Sequence, residues 1–435
     1  MTARFGGRDA GIPSLGRIGP SEIGPIHPML SDAFAGLDGA AVRWCLLRLP
    51  GSLARPVGDI DLLVDRSGFE RAANVLREHS FVELPRFNQG HSFVRYDPQL
   101  DAWLWLDVTT ELVFGTPPLQ TGAEQECLQR RRAVSGVWLL EPSDAFWVIL
   151  LHAALDGRSL ASRHEAQLVG AATDARHGRG VLTELGDRLL RSGYSRTEMI
   201  DAVKAEDWSA VRRAMSIMEE RARRLVPSRP VALLHEATQR FRWMVPRRRR
   251  RGLSVALIGA DGVGKSTLAA GLIDSFIVPT RLVYMGVWRT PRPFAALGAP
   301  GRVGHAIIVQ WLRWTYGAVH RLRGRLVIFD RYTEEHLVPP PRAGLLGRLL
   351  QGARALAVCP APDLVLLLDT PGTVAFARKQ EHSPEEIERI RSRYLRVVDR
   401  FPRLTVIDAQ QPTDVVRRRA TEAIWSSYRR RLIDE

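Results

Sequence analysis

Residues 253–272 read "LSVALIGADGVGKSTLAAGL", and no other stretch restricts the fold as tightly. An apolar run, a glycine-rich loop and a helix-forming segment follow one another without a spacer. Gly259, Gly264, Lys265 and Ser266 satisfy the pattern G-x-x-x-x-G-K-[ST], and the spacing predicts a strand before it and a helix after it. Glycines let a backbone turn sharply enough for successive N–H groups to surround phosphate oxygens. The expected cradle is Gly259, Ala260, Asp261, Gly262, Val263, Gly264, Lys265, Ser266 and Thr267. The N-terminus of the following helix adds a favourable dipole. Lys265 is placed to neutralise β- and γ-phosphates, and the Ser266 hydroxyl to reach Mg2+. The cofactors implied are ATP and Mg2+.

Four further apolar runs share the C-terminal half with "LSVALIG": "RLVYMG", "RLVIFD", "DLVLLLD" and "LTVIDA". Most are continuously apolar, as strands buried on both faces are, and helical stretches separate them. They predict an α/β fold with a doubly wound, parallel five-stranded sheet. The run "RLVIFD" ends in Asp330, at the edge where such sheets bind ligands. A carboxylate there suits either the magnesium shell or proton acceptance from a substrate. Arg331 follows and is suited to clamp a phosphate bidentately. In "FARKQEHSPEEIERIRSRYLRV", Ser383 is an N-cap, Pro384 stands at N1 and Glu386 at N3 of a helix. Arg378 and Lys379 precede it, and Arg389, Arg391 and Arg393 lie on it. Basic residues ahead of a capped helix suit a lid that closes on phosphates and excludes water.

"GADGVGKST", the Asp-Arg-Tyr at 330–332 and "PDLVLLLDTPGTVAFARKQE" together resemble the thymidylate kinase family of P-loop nucleoside monophosphate kinases, over residues 253–435. The resemblance implies that Arg331 contacts the acceptor phosphate, that Arg378 is the lid arginine and that Asp261 faces the acceptor sugar. It also implies a homodimer. The sequence departs from that family in two places. No Arg-Glu-Pro-Gly segment stands in "YMGVWRTPRPFAALGAPG", and only Gln310 is available in place of a base-reading glutamine helix. The acceptor expected is therefore a nucleoside monophosphate or a related small molecule, with dTMP unassigned.

The N-terminal half carries a second pattern. In "PGSLARPVGDIDLLVD", Asp59 and Asp61 are two residues apart on an expected strand, so both side chains share a face. Asp107 interrupts the apolar run "WLWLDVTTEL". Three carboxylates on adjacent strands suit Mg2+ binding for nucleotidyl transfer. Gly51-Ser52, then Asp-x-Asp, then a later Asp resembles the nucleotidyltransferase superfamily, over about residues 40–140. His91, in "NQGHSF", is more simply structural.

These readings divide the chain into a disordered segment 1–30, an α+β nucleotidyltransferase-like domain 31–141, a helical domain 142–245, an arginine-rich linker 246–252 and the P-loop domain 253–435. Net charge is +15, yet lysine occurs only at 204, 265 and 379. That is an arginine-biased surface rather than a nucleic-acid footprint. The run Arg247–Arg251 is read as a solvated linker, with phosphate or anionic membrane contact as its alternative. No apolar run reaches the ~18 residues of a membrane span. No secretory signal is visible, and three scattered cysteines suit a reducing cytoplasm. The leading expectation is a Mg-ATP-dependent kinase acting on a small acceptor. The alternatives are a nucleotidyltransferase with an accessory P-loop domain and a non-catalytic, NTP-gated module.

Overall fold

A computed structural model describes residues 23–84, 90–116, 118–156, 160, 162–173, 175, 178–191, 193–225, 252–286, 291–296, 298–332, 359–398 and 403–433. The segment 1–22 and the arginine run 247–251 lie outside the described residues. The chain forms two compact units, one of Met1–Arg95 with Ala102–Met244, the other of Tyr96–Asp101 with Val245–Glu435. Among the described residues no helix is long and apolar enough to cross a membrane.

The first unit opens with α1 (Pro28–Gly39), three residues before the expected domain start, capped by the His27 ring accepting from the Met29 N–H. There follow β1 (Trp44–Leu46), β2 (Asp59–Val64), α2 (Phe69–Glu78), β3 (Val82–Glu83), β4 (His91–Asp97), β5 (Ala102–Thr109), β6 (Val113–Phe114), β7 (Leu119–Gln120), α3 (Glu124–Arg130), β8 (Arg132–Val134) and β9 (Val137–Leu139). Seven of the strands make a mixed sheet in the order β3-β4-β5-β2-β1-β9-β8. Alternation along β2 sorts its side chains. Ile60, Leu62 and Val64 share a core with Leu30, Phe34 and Leu37 of α1 and with Ala72, Ala73 and Leu76 of α2. Leu63, on the other face, joins Cys45 and the apolar residues of α4 (Pro142–Leu155). Helices α5 (Ser162–Ala172), α6 (Val181–Leu190), α7 (Arg196–Lys204) and α8 (Trp208–Leu225) extend that second core.

Asp65 closes β2. Its carboxylate accepts from Ser67 Oγ and from Gln125 Nε2 at 2.5 Å, and pairs with Arg43 at 3.1 Å. The Ser67 bond, then the Gln125 bond, hold its pKa down to about 2. A carboxyl whose folded pKa lies below its unfolded value of ~3.9 adds stability above pH ~4 and loses it as pH falls toward 2. Asp65→Asn should therefore cost up to about 2 kcal/mol at neutral pH. In urea melts the gap from wild type should narrow as the pH is lowered below 4; a gap that widens on acidification contradicts the assignment.

The second unit is a parallel α/β domain. Its elements are β10 (Ser254–Ile258), α9 (Lys265–Ser275), β11 (Thr280–Tyr284), α10 (Arg292–Ala296), α11 (Gly298–Leu322), β12 (Leu326–Asp330), β13 (Leu364–Asp369), α12 (Gly372–Arg378), α13 (Pro384–Val397), β14 (Leu404–Asp408) and α14 (Thr413–Ile433). All five strands lie where the apolar runs place them, in the order β11-β12-β10-β13-β14 and parallel throughout. Every residue of β10 and β12 is buried, whereas the edge strands β11 and β14 are partly exposed. Trp314 of α11 and Ile390 and Tyr394 of α13 cover the face formed by Ala256, Ile258, Val327, Phe329 and Leu367. Helices α9 and α14 pack together against the opposite face. This winding brings the loop after β10, the end of β12 and the end of β13 to one edge of the sheet.

Candidate functional site

Chain geometry explains the glycines of the loop after β10. Gly259 has φ +140°, and a Cβ there would lie 2.7 Å from the Leu368 carbonyl oxygen. Gly262 has φ +86°, and its Cβ would meet the Ala375 carbonyl oxygen at 2.5 Å. A side chain at either position meets both strain and a backbone clash. Gly264, at φ +99°, is the N-cap of α9, so the loop runs directly into the helix N-terminus, where orphan N–H groups suit an anion.

Lys265 is only 7% exposed, and its Nζ donates to the carbonyls of Gly259 at 2.6 Å and Ala260 at 2.8 Å. The ammonium is thereby pinned inside the loop. Ser266 Oγ donates to Asp330 Oδ2 at 3.4 Å, and Asp330 is itself buried at the end of β12. A hydroxyl beside a carboxylate is a hard-oxygen pair that fits Mg2+, whose remaining ligands are commonly phosphates and water. Arg331 has φ +66°, a left-handed conformation costly for arginine, and its N–H donates to the Leu257 carbonyl at 3.1 Å. Its Nη2 donates to Asp261 Oδ1 at 2.5 Å. Asp261 also lies 3.8 Å from Lys265 Nζ and 4.0 Å from His382 Nε2.

The first unit holds a separate cluster. Strands β2 and β5 pair in parallel with Asp61 opposite Asp107 and Asp59 opposite Trp105. One carboxylate oxygen from each of Asp59, Asp61 and Asp107 lies within 4.8 Å of the others. Asp107 Oδ1 accepts from Ser92 Oγ at 2.5 Å and Trp105 Nε1 at 2.7 Å, and Asp61 Oδ2 accepts from Arg48 Nε at 3.0 Å. Burial raises the pKa of Asp61 against the pull of Arg48, and that of Asp107 against its two hydrogen bonds. Three hard anionic oxygens at this spacing fit a divalent cation such as Mg2+. His91 stands apart from the cluster: its Nδ1 lies 2.7 Å from Glu83 Oε1 and its ring packs 4.2 Å from that of Phe69. Ser52 Oγ accepts from the Ala54 and Arg55 N–H groups at 3.2 Å, closing a local turn.

Comparison with known proteins separates the two halves. A family model described as "Uncharacterised nucleotidyltransferase" matches residues 44–165. Thymidylate kinase of Xanthomonas campestris pv. campestris is 31% identical over 202 residues, covering 42% of this chain and 86% of its own. The chain belongs to the thymidylate kinase family. The thymidylate kinase of Xylella fastidiosa is 30% identical over 200 residues, 42% of this chain and 90% of its own. A solved structure of thymidylate kinase from Candida albicans covers 41% of this chain and 93% of its own, at 19% identity and a TM-score of 0.33. The nucleotidyltransferase match runs past residue 141, through α4 and into α5.

Within the thymidylate kinase part, residues 378–397 hold the segment from which a lid is expected. Helix α13 begins at Pro384 with Ser383 as N-cap, as its residues require. The basic side chains take other directions. Arg378 Nη1 donates to the Ala409 carbonyl at 3.0 Å, and Lys379 pairs with Glu381 at 3.0 Å. Arg391 bonds both oxygens of Asp369, at 2.7 and 2.9 Å, and reaches Glu388 at 2.8 Å. His382, just before that cap, has its Nε2 4.0 Å from Asp261 Oδ2 in the loop after β10 and its Nδ1 3.4 Å from Glu386. Sequence reasoning passed over it because a histidine before a cap does not announce its direction. It passed over Asp369 as well, although that residue ends "LVLLLD" just as Asp330 ends "RLVIFD". Gln310 is buried in α11.

Proposed function

We propose that the C-terminal domain transfers the γ-phosphoryl group of Mg-ATP to a nucleoside monophosphate or a related small acceptor. The carrying observation is the loop 259–267, with its ammonium held inside, facing the Asp330–Arg331 turn across one edge of the sheet. The loop N–H groups hold the β- and γ-phosphates, and Lys265 balances their charge. When bound, Mg2+ would be held by Ser266 and Asp330 and would neutralise charge on the phosphates. Arg331, with Asp261 as its present partner, seats the acceptor. Arg378 and Lys379, which here bond the Ala409 carbonyl and Glu381, would exchange those partners for the nucleotide phosphates from the lid. Little covalent work falls to the protein; orientation and charge carry the catalysis.

The test uses the full chain with Mg-ATP and a panel of nucleoside monophosphates, with products read by mass. ADP with one phosphorylated acceptor is expected, and no transfer to any of them overturns the reading. Arg331→Ala should raise the acceptor KM by roughly 10–100-fold and leave the KM for ATP nearly unchanged. A rise confined to the ATP KM would move Arg331 out of the acceptor site.

A second activity is favoured by the Asp61–Asp107 register. Asp59, Asp61 and Asp107 would hold Mg2+ for nucleotidyl transfer to a hydroxyl, with release of pyrophosphate. The two activities rest on different units of the chain and are separable by substitution.

A further inference from the structure

Where β1 leaves the sheet, the chain places an arginine directly on the three-carboxylate cluster. The Leu47 N–H donates to the Asp61 carbonyl at 2.9 Å, and the Leu49 carbonyl accepts from Gln167 Nε2 of α5. The backbone of Arg48 is thus held on both sides, and its side chain is delivered to Asp61. Nε donates to Asp61 Oδ2 at 3.0 Å, and Nη2 donates to the same oxygen. A guanidinium fork matches two acceptor oxygens side by side, as a carboxylate or a phosphate offers them. Here two donors converge on one oxygen, and Nη1 has no hydrogen-bond partner among the described residues.

Burial explains why the pair forms. The Asp61 side chain is 21% exposed and that of Arg48 16%. A carboxylate so far withdrawn from water, with Asp107 opposite it and Asp59 alongside, requires a positive charge close by. A divalent cation held by the three carboxylates would supply that charge and would repel a guanidinium bonded to the same group. Each therefore weakens the hold of the other. The cluster is open to solvent, with Asp59 exposed and Asp61 and Asp107 half-buried. Arg48 and all three carboxylates fall within residues 44–165, which match the nucleotidyltransferase model, and nucleotidyl transfer brings a polyphosphate to the cation.

We propose that Arg48 is an exchangeable counter-ion: a divalent cation displaces it from Asp61, and the freed guanidinium binds the polyphosphate of the incoming nucleoside triphosphate. This rests on the nucleotidyl-transfer reading. The exchange keeps charge balanced at each stage. Without metal, Arg48 offsets Asp61. With metal and nucleotide bound, the carboxylates face the cation and Arg48 faces phosphate oxygens, where its fork meets two acceptors instead of one. Moving the guanidinium requires only side-chain torsions, since the backbone is fixed at Leu47 and Leu49.

The test has two arms on the full chain. The first is calorimetric titration with Mn2+ in nucleotide-free buffer, with the Asp59→Asn, Asp61→Asn double variant as blank. Arg48→Ala and Arg48→Gln should bind Mn2+ about 5–30-fold more tightly than wild type, because the competing charge is gone. Both should melt below wild type without metal and gain more from added Mn2+. The second arm follows transfer of the α-phosphate label from each of the four ribonucleoside triphosphates, with Mg2+, to a panel of sugars, polyols and nucleosides. There both variants should raise the nucleotide KM by about 10–100-fold and leave the acceptor KM nearly unchanged. Arg48→Lys keeps the charge without the fork and should fall between. A merely structural arginine would not move the two arms in opposite directions. Mn2+ affinity unchanged or weakened in both Arg48→Ala and Arg48→Gln overturns the proposal, whatever the acceptors show. So does tighter Mn2+ binding with a wild-type nucleotide KM. If wild type and the Asp59→Asn, Asp61→Asn double variant are equally inert with every acceptor, the nucleotidyl-transfer reading falls and takes this proposal with it.

Discussion

Lys265→Ala is expected to lower ATP-dependent phosphoryl transfer by about 10³-fold, equivalent to about 4 kcal/mol of transition-state stabilisation. The size follows from where the ammonium sits. It is almost wholly removed from water and bonded to two carbonyls of the loop that would surround the phosphates. In so dry a setting a fixed positive charge interacts with developing negative charge far more strongly than an exposed one would. The same bonds shape the loop, so the substitution acts twice. It removes the charge, and it leaves the Gly259 and Ala260 carbonyls without their donor. Lys265→Arg separates these effects: it keeps the charge and misplaces it, and should also lose most of the activity. The check is single-turnover transfer from labelled ATP, alongside thermal melting. Turnover within a few-fold of wild type in a folded Lys265→Ala protein would remove the loop from the reaction.

How far residues disclose such a site depends on how local the signal is. The five strands of the second unit were legible because a parallel strand covered on both faces must be apolar throughout, as in "VALI" and "LVIF". The glycine-rich loop after β10 was legible because its glycines answer to backbone demands within a few residues. Strands β3 and β8 were not, since two or three residues carry no period. Helix α1 escaped notice because its cap is the His27 ring rather than one of the common capping side chains. The segment around α13 shows the same limit. Charge counting marks Arg378, Lys379 and Arg391 alike, but direction is set by partners far along the chain. Asp369 claims Arg391 from 22 residues away, and the Ala409 carbonyl claims Arg378 from 31. Likewise, alternation aligned Asp59 with Asp61, whereas the position of Asp107 beside Asp61 depends on strand register, which sequence leaves open.

The double substitution Asp59→Asn, Asp61→Asn is expected to reduce Mg2+-dependent pyrophosphate release by at least about 10³-fold, with the kinase activity retained. Asp61 and Asp107 stand directly opposite one another, and burial disfavours the charge on both. Two such carboxylates with Asp59 alongside form a site that a divalent cation stabilises more than any neutral ligand could. Amides keep the shape and hydrogen bonding while removing two of three charges, so folding should survive and cation binding should not. Indeed, relief of the buried repulsion should leave the melting temperature unchanged or slightly raised in metal-free buffer, although Arg48 loses its charged partner. Two measurements decide the matter: calorimetry with Mn2+, and pyrophosphate release alongside ADP formation on one preparation. Loss of pyrophosphate release with ADP formation intact assigns one chemistry to each unit. Loss of both would mean that the N-terminal carboxylates serve the phosphate loop, and that the chain runs one reaction rather than two.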